Sequence, residues 1–151
     1  MKLAEALALR GDILKRLEQI RARLLRNAKV QDGDSPAEDP AALLVEHERL
    51  AAELQRLIAQ INHTNSSVTF ETGTLTDALA ARDVLRLRQA MLRDLAEAAT
   101  VTQFVGTRSE VRFRPAVNIS EVQKQADNLA QDLRRLDARI QEANWLTNLI
   151  E

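Results

Sequence analysis

Apolar residues recur in alternating steps of three and four along four stretches of the chain, and each stretch predicts a long helix. The most regular covers residues 122–150, where Val122, Ala126, Leu129, Leu133, Leu136, Ile140, Ala143 and Ile150 form a seam that only Thr147 interrupts. At about 1.5 Å per residue this helix is roughly 40 Å long, with a buried side narrow enough for another long helix. A first helix is expected over 2–29, with a wider face made of Leu3, Ala6, Leu7, Ile13, Leu14, Leu17, Ile20, Leu24 and Ala28. Gly11 lies inside it, and because the apolar phase continues across, the helix is expected to be continuous there, with room for a close neighbour at the glycine. The second helix, over 40–62, carries Leu43, His47, Leu50, Leu54, Leu57 and Ile61 at heptad spacing. The third, over 75–101, carries Leu75, Leu79, Val84, Leu87, Met91, Leu95 and Ala98.

Breaks and caps fit this division. Asp32-Gly33-Asp34-Ser35-Pro36-Ala37-Glu38-Asp39-Pro40 packs two prolines, a glycine and four carboxylates into nine residues, which excludes a helix interior. Asp39 can cap the next helix with Pro40 at its first position. Thr74 is a candidate cap for the third helix, with Asp77 in its first turn, and Ser120 with Gln123 makes a capping box for the fourth. The connections at 63–74 and 102–119 are less helical. Ser67-Val68-Thr69-Phe70 is β-prone up to Thr72-Gly73, and Val111, Phe113 and Val117 alternate with Arg112 and Arg114 as a short strand would. A hairpin turning at Gly106-Thr107-Arg108-Ser109 is therefore expected between helices 3 and 4. The class is all-α: one domain, 1–151, built as a coiled-coil-like bundle of four long antiparallel helices. In an up-down-up-down bundle the two connections lie at opposite ends and could pair only between subunits.

Composition narrows the class further. With 151 residues, 45% hydrophobic and only 3% aromatic, the core must be built from Leu, Ile, Val and Ala. A formal net charge of -1 gives no bulk attraction to nucleic acid or an anionic membrane. The absence of cysteine removes disulfides, thiolate metal sites and thiol nucleophiles. Arg10 and Asp12 interrupt the first apolar stretch too early for a signal-peptide core, and no window is apolar enough to span a membrane. A cytoplasmic location is the expectation.

Chemistry-bearing patterns are sparse. His47 and His63 lie about 24 Å apart along one helix, so they cannot share a metal. Neither follows a Glu by three residues, so the Glu-x-x-His pairs of di-iron bundles are absent. Phosphate-binding glycine loops and nucleophile elbows are also absent. No catalytic, cofactor or metal-binding residue is assigned, no cofactor is expected, and a non-enzymatic role is favoured. Three triplets, Asn62-His63-Thr64, Asn65-Ser66-Ser67 and Asn118-Ile119-Ser120, match the glycosylation pattern by chance.

Charge is distributed unevenly. Residues 1–29 hold eight Lys and Arg against three acidic residues, whereas 30–48 hold six acidic residues and no Lys or Arg. Arg21, Arg23 and Arg26 are thus candidates for an anion-binding flank, and RNA is a candidate polyanion. The alternative is that this helix pairs with an acidic neighbour. Arg108, Glu110, Arg112 and Arg114 form a second candidate interaction cluster, which Asn65 could join across subunits. Equally, Arg112 and Arg114 could be the solvent side of a strand whose Val111 and Phe113 pack inward. Trp145 widens the apolar surface of the last helix, as at a subunit contact.

The segments Met1-Lys2-Leu3-Ala4-Glu5-Ala6-Leu7, Arg23-Leu24-Leu25-Arg26-Asn27-Ala28-Lys29, Thr74-Leu75-Thr76-Asp77-Ala78-Leu79 and Arg139-Ile140-Gln141-Glu142-Ala143-Asn144-Trp145-Leu146 resemble a bacterial family whose members are labelled septicolysin or septicolysin-like. The resemblance covers essentially the whole chain and implies a cytolytic toxin, but it brings no reaction, cofactor or catalytic residue. A pore-former would need an export signal and a segment able to enter the membrane, and the sequence supplies neither. The reading that follows is a helical-bundle interaction protein that self-associates as a homo-oligomer. Binding of RNA or another polyanion is the alternative, and a toxin the further one.

Overall fold

A computed structural model describes residues 1–101 and 111–151. The class is all-α, as the spacing predicts: α1 (Leu3–Arg26), α2 (Pro40–Ser67), α3 (Leu75–Ala99) and α4 (Ile119–Leu146). A two-stranded antiparallel sheet, β1 (Thr69–Phe70) and β2 (Gly73–Thr74), lies between α2 and α3. The described chain forms two compact units, one of residues 1–74 and 142–151, the other of residues 75–141.

In the first unit α1 and α2 form an antiparallel hairpin, since Arg16 pairs with Glu46 and Arg23 with Glu38. On α2 the seam is the expected one. Leu43, Leu50, Leu57 and Ile61 are buried, His47 and Leu54 half-buried, and Thr64 extends the same spacing. The α1 face is narrower than its composition implies. Leu3, Ala6, Ile13 and Ile20 are buried and Leu17 and Leu24 half-buried, while Leu14 and Ala28 are exposed. A two-helix contact needs only a heptad stripe, so a 3.6-period face leaves apolar residues outside it. Gly11 is not held by a close neighbour, because a Cβ added there would meet nothing within 4 Å.

Local chemistry fixes the ends. The side chain of Asp39 accepts the Ala41 N–H at 3.0 Å, with Pro40 at the first helical position. At the α1 C-terminus, Asn27 Nδ2 donates to the Arg23 carbonyl at 2.9 Å and its Oδ1 accepts the Glu38 N–H at 3.1 Å. Asn27 thereby ends α1 before position 29. Gly33, at φ 90°, supplies the left-handed residue of this connection. The β1–β2 turn places Glu71 at φ 53°, a position where a glycine would be unstrained.

The fourth helix stops at Leu146, short of 150, because the chain ends pair instead. The Leu3 N–H donates to the Thr147 carbonyl at 3.0 Å and the Leu149 N–H to the Met1 carbonyl at 2.9 Å, an antiparallel bridge of Lys2 with Asn148. Lys2 Nζ donates to the Leu146 carbonyl at 2.9 Å, placing a cation on the C-terminal end of α4. Thr64, fully buried, completes the closure: its Oγ1 donates to the Gln60 carbonyl at 2.8 Å and accepts the Ile150 N–H at 2.9 Å.

In the second unit α3 and α4 are also antiparallel. Arg82 reaches Asp137, and Gln89, Arg93 and Ala96 share a cleft with Gln123, Ala126 and Asp127 at the other end of the pair. On α4, Val122, Ala126, Leu129, Leu133, Leu136 and Ile140 are buried or half-buried, as the sequence seam requires. Its N-cap is Asn118, whose side chain accepts the Glu121 N–H at 3.1 Å, two residues before the expected Ser120. The expected hairpin turn at 106–109 lies outside the described residues, and Val111 to Pro115 form no strand.

Candidate functional site

On α3 the buried and half-buried positions include a row in steps of three and four, Leu75, Ala78, Arg82, Leu85, Gln89, Leu92, Ala96 and Ala99, with Leu79 and Ala90 half-buried beside it. That inner seam differs from the expected one and includes an arginine and a glutamine. Of the expected seam Leu75 is buried and Leu79 half-buried, but from Val84 onward it faces outward: Val84 is 53% exposed, Leu87 71%, Met91 57% and Leu95 36%. At about 100° per residue the two stripes lie on nearly opposite sides of the helix. The outer one is the more apolar, and Ala80 and Ala98 prolong it at the same spacing.

Arg82 is the residue that sequence reasoning missed. Its side chain is 21% exposed, with Nε 3.5 Å from Asp83 Oδ1 and Nη1 3.6 Å from Asp137 Oδ1. Arg86 joins the cluster at 3.8 Å from Asp83 and 3.9 Å from Asp137. The buried Arg82 Nε makes no hydrogen bond and is compensated only by its ion pair with Asp83. A charged residue at a seam position fixes register and orientation at a cost in stability. Its signal in the sequence is the alternative phase 75-78-82-85, which a reading guided by hydropathy passes over.

Two of the three candidate anion-binding arginines are engaged with carboxylates. Arg21 donates to Glu18 Oε1 at 3.3 Å. Arg23 grips Glu38 with Nε, at 3.0 and 3.1 Å from the two carboxylate oxygens, and with Nη2. This fork raises the Arg23 pKa above its usual value and lowers that of Glu38, hydrogen bonding being the largest cause in both. Arg26 is exposed, and its charge lowers the Glu38 pKa slightly further.

Asn65 is half-buried in the last turn of α2, Trp145 and Leu146 are exposed on the last turn of α4, and Arg108 and Glu110 lie outside the described residues. Arg112 and Arg114 are exposed, but so are Val111 and Phe113, so these two do not pack inward. Phe113, Arg114 and Val117 instead line an open, mostly apolar groove of about 530 Å³ with Leu95, Ala98 and Val101. The α3 stripe runs into that groove. His63 is exposed on α2, away from the seam that holds His47. Among the described residues no group of three or more His, Asp or Glu is placed to hold a metal ion.

The chain is similar over 99% of its length, and of the other chain's, to a functionally unknown conserved protein from Corynebacterium diphtheriae, at 41% identity and a TM-score of 0.94. No protein of curated function matches it. The resemblance to septicolysin-labelled proteins is overturned, because neither this neighbour nor the matching family carries that label. Its four segments are pieces of helix seams and ends, each with Leu and Ala, a composition common to long packed helices. The toxin expectation falls with it, and no described helix is long and apolar enough to cross a membrane. Residues 10–149 match DUF6847, and the chain belongs to that family of unknown function.

Proposed function

We propose that this protein is a structural, self-associating helical protein whose interaction surface is the outer face of α3. The single observation carrying this reading is the exposure of Val84, Leu87, Met91 and Leu95 on one side of a helix whose inner seam contains Arg82 and Gln89. Isolated exposed aliphatics are ordinary on a protein surface, whereas a row at helical spacing matches what a second helix buries. Full burial of such a side chain is worth about 1.5–3 kcal/mol, and these four, 36–71% exposed, each have about half of that still to gain, which supports a contact once ordering costs are met. The polyanion alternative lacks comparable support, since Arg21 and Arg23 already hold carboxylates.

Light scattering coupled to size-exclusion chromatography tests the reading. The parent protein is expected to run above one chain's mass. The pair Leu87→Asp and Met91→Asp should return it to a monomer with an unchanged far-ultraviolet spectrum. A parent that stays monomeric up to about 100 µM, a range in which weak specific dimers form, overturns it.

A further inference from the structure

We infer that the partner of the α3 face is α3 of a second copy, lying parallel to it with Met91 against Met91 across a two-fold axis. The inference rests on the self-association proposed above and adds the orientation, which the charges flanking the stripe determine. Arg88 stands three residues before Met91 and Asp94 three after, so at about 100° per residue they flank the stripe on opposite sides. Asp83, eight residues before Met91, falls on the Asp94 side. Between Ala80 and Ala98 one rim is therefore basic and the other acidic.

A two-fold axis along the helix pair brings each rim against the opposite rim of the partner, setting Arg88 between Asp83 and Asp94 of the other copy. An antiparallel pair sets like rims together, acidic on acidic and basic on basic, which opposes association. Arg88 and Asp94 make no salt bridge among the described residues, so both are available. Asp83 already lies 3.5 Å from Arg82, which leaves Asp94 as the main counter-charge. The face is thus self-complementary in charge as well as apolar, which selects a second copy over an unrelated helix.

Because the chain has no cysteine, single substitutions report orientation without background. Val84→Cys, Met91→Cys and Ala98→Cys are each expected to give a disulfide-linked dimer under mild oxidation. In an antiparallel pair centred on Met91 only Met91→Cys would link, because the two copies of position 84 lie about 21 Å apart. Arg88→Asp and Asp94→Arg should each weaken the dimer about tenfold, and the two together should restore it. A dimer in which Val84→Cys and Ala98→Cys fail to link overturns the parallel arrangement and leaves self-association standing. A parent monomeric by light scattering overturns both.

Discussion

The α1–α2 hairpin buries its heptad seam and leaves Leu14, Leu25, Leu44, Val45 and Ile58 on its surface, whereas α3 exposes most of its own apolar row. On α2 every leucine and isoleucine of the heptad seam points inward, and Thr64 continues that seam while binding the chain end at 2.9 Å. On α3 an arginine and a glutamine occupy inner positions, while a valine, two leucines and a methionine face out. An isolated protomer gains nothing from that outer row and is exposed to non-specific aggregation by it. A closed hairpin and a two-faced helix in one chain therefore point to a division of labour. The heptad seam of the first unit is buried within its own hairpin, and on α3 an apolar row stays exposed.

Truncation in the two regions separates these roles most sharply. Leu50→Ala removes a fully buried side chain of the α2 seam and should cost about 2–5 kcal/mol, read as a lower urea midpoint at any protein concentration. Leu87→Ala should change protomer stability by less than about 0.5 kcal/mol. It should instead abolish the concentration dependence of the midpoint that an associating protein shows. If Leu87→Ala proves as costly as Leu50→Ala at low concentration, the outer row is core and the contrast fails.

The closure of the first unit can be opened separately. Thr64→Val keeps the shape of the side chain but leaves the Ile150 N–H without its acceptor, a loss of about 1–3 kcal/mol. Hydrogen exchange should speed up at Ile150, with no change on α3. Unchanged protection at Ile150 would mean that the Lys2–Asn148 bridge alone holds the chain end.

What the sequence disclosed divides along the same line. The α2 and α4 seams were legible because Leu, Ile, Val and Ala fill nearly every inner position, and on α2 the exposed Leu44, Val45 and Ile58 make a sparser row than the buried one. On α3 two rows compete, and hydropathy selects Val84, Leu87, Met91 and Leu95 over a row containing Arg82 and Gln89. The choice between them depends on which side faces α4, a tertiary fact that periodicity does not encode. Asp39 with Pro40 announced a helix start, whereas near 118–120 two good capping residues stood close together and backbone geometry chose Asn118. The end of α4 escaped because its seam continues past Leu146, while the backbone pairing of Thr147 and Leu149 with the first residues competes with further helix. The basic bias of α1 was visible, but its discharge onto Glu38 joins residues across a loop that no local pattern describes.

That ion pair gives the smallest expected effect and a test of whether the first unit's closure has an electrostatic part. The Arg23 fork holds the Glu38 pKa below its unfolded value of about 4.3, so ionised Glu38 favours the folded chain. A carboxylate lowered in this way contributes stability above its unfolded pKa and loses it as pH falls through the folded pKa. The raised Arg23 pKa adds no pH dependence here, because arginine stays charged in both states throughout the acid range. Glu38→Gln keeps the backbone N–H that Asn27 accepts, so the loop can retain its path while the charge is removed. Thermal scans should then place the parent slightly above the variant at pH 7, with the gap closing as pH is lowered below about 4. A gap that persists unchanged to pH 3 would mean that the shape of the fork, and not the ionisation of Glu38, holds the end of α1 to the start of α2.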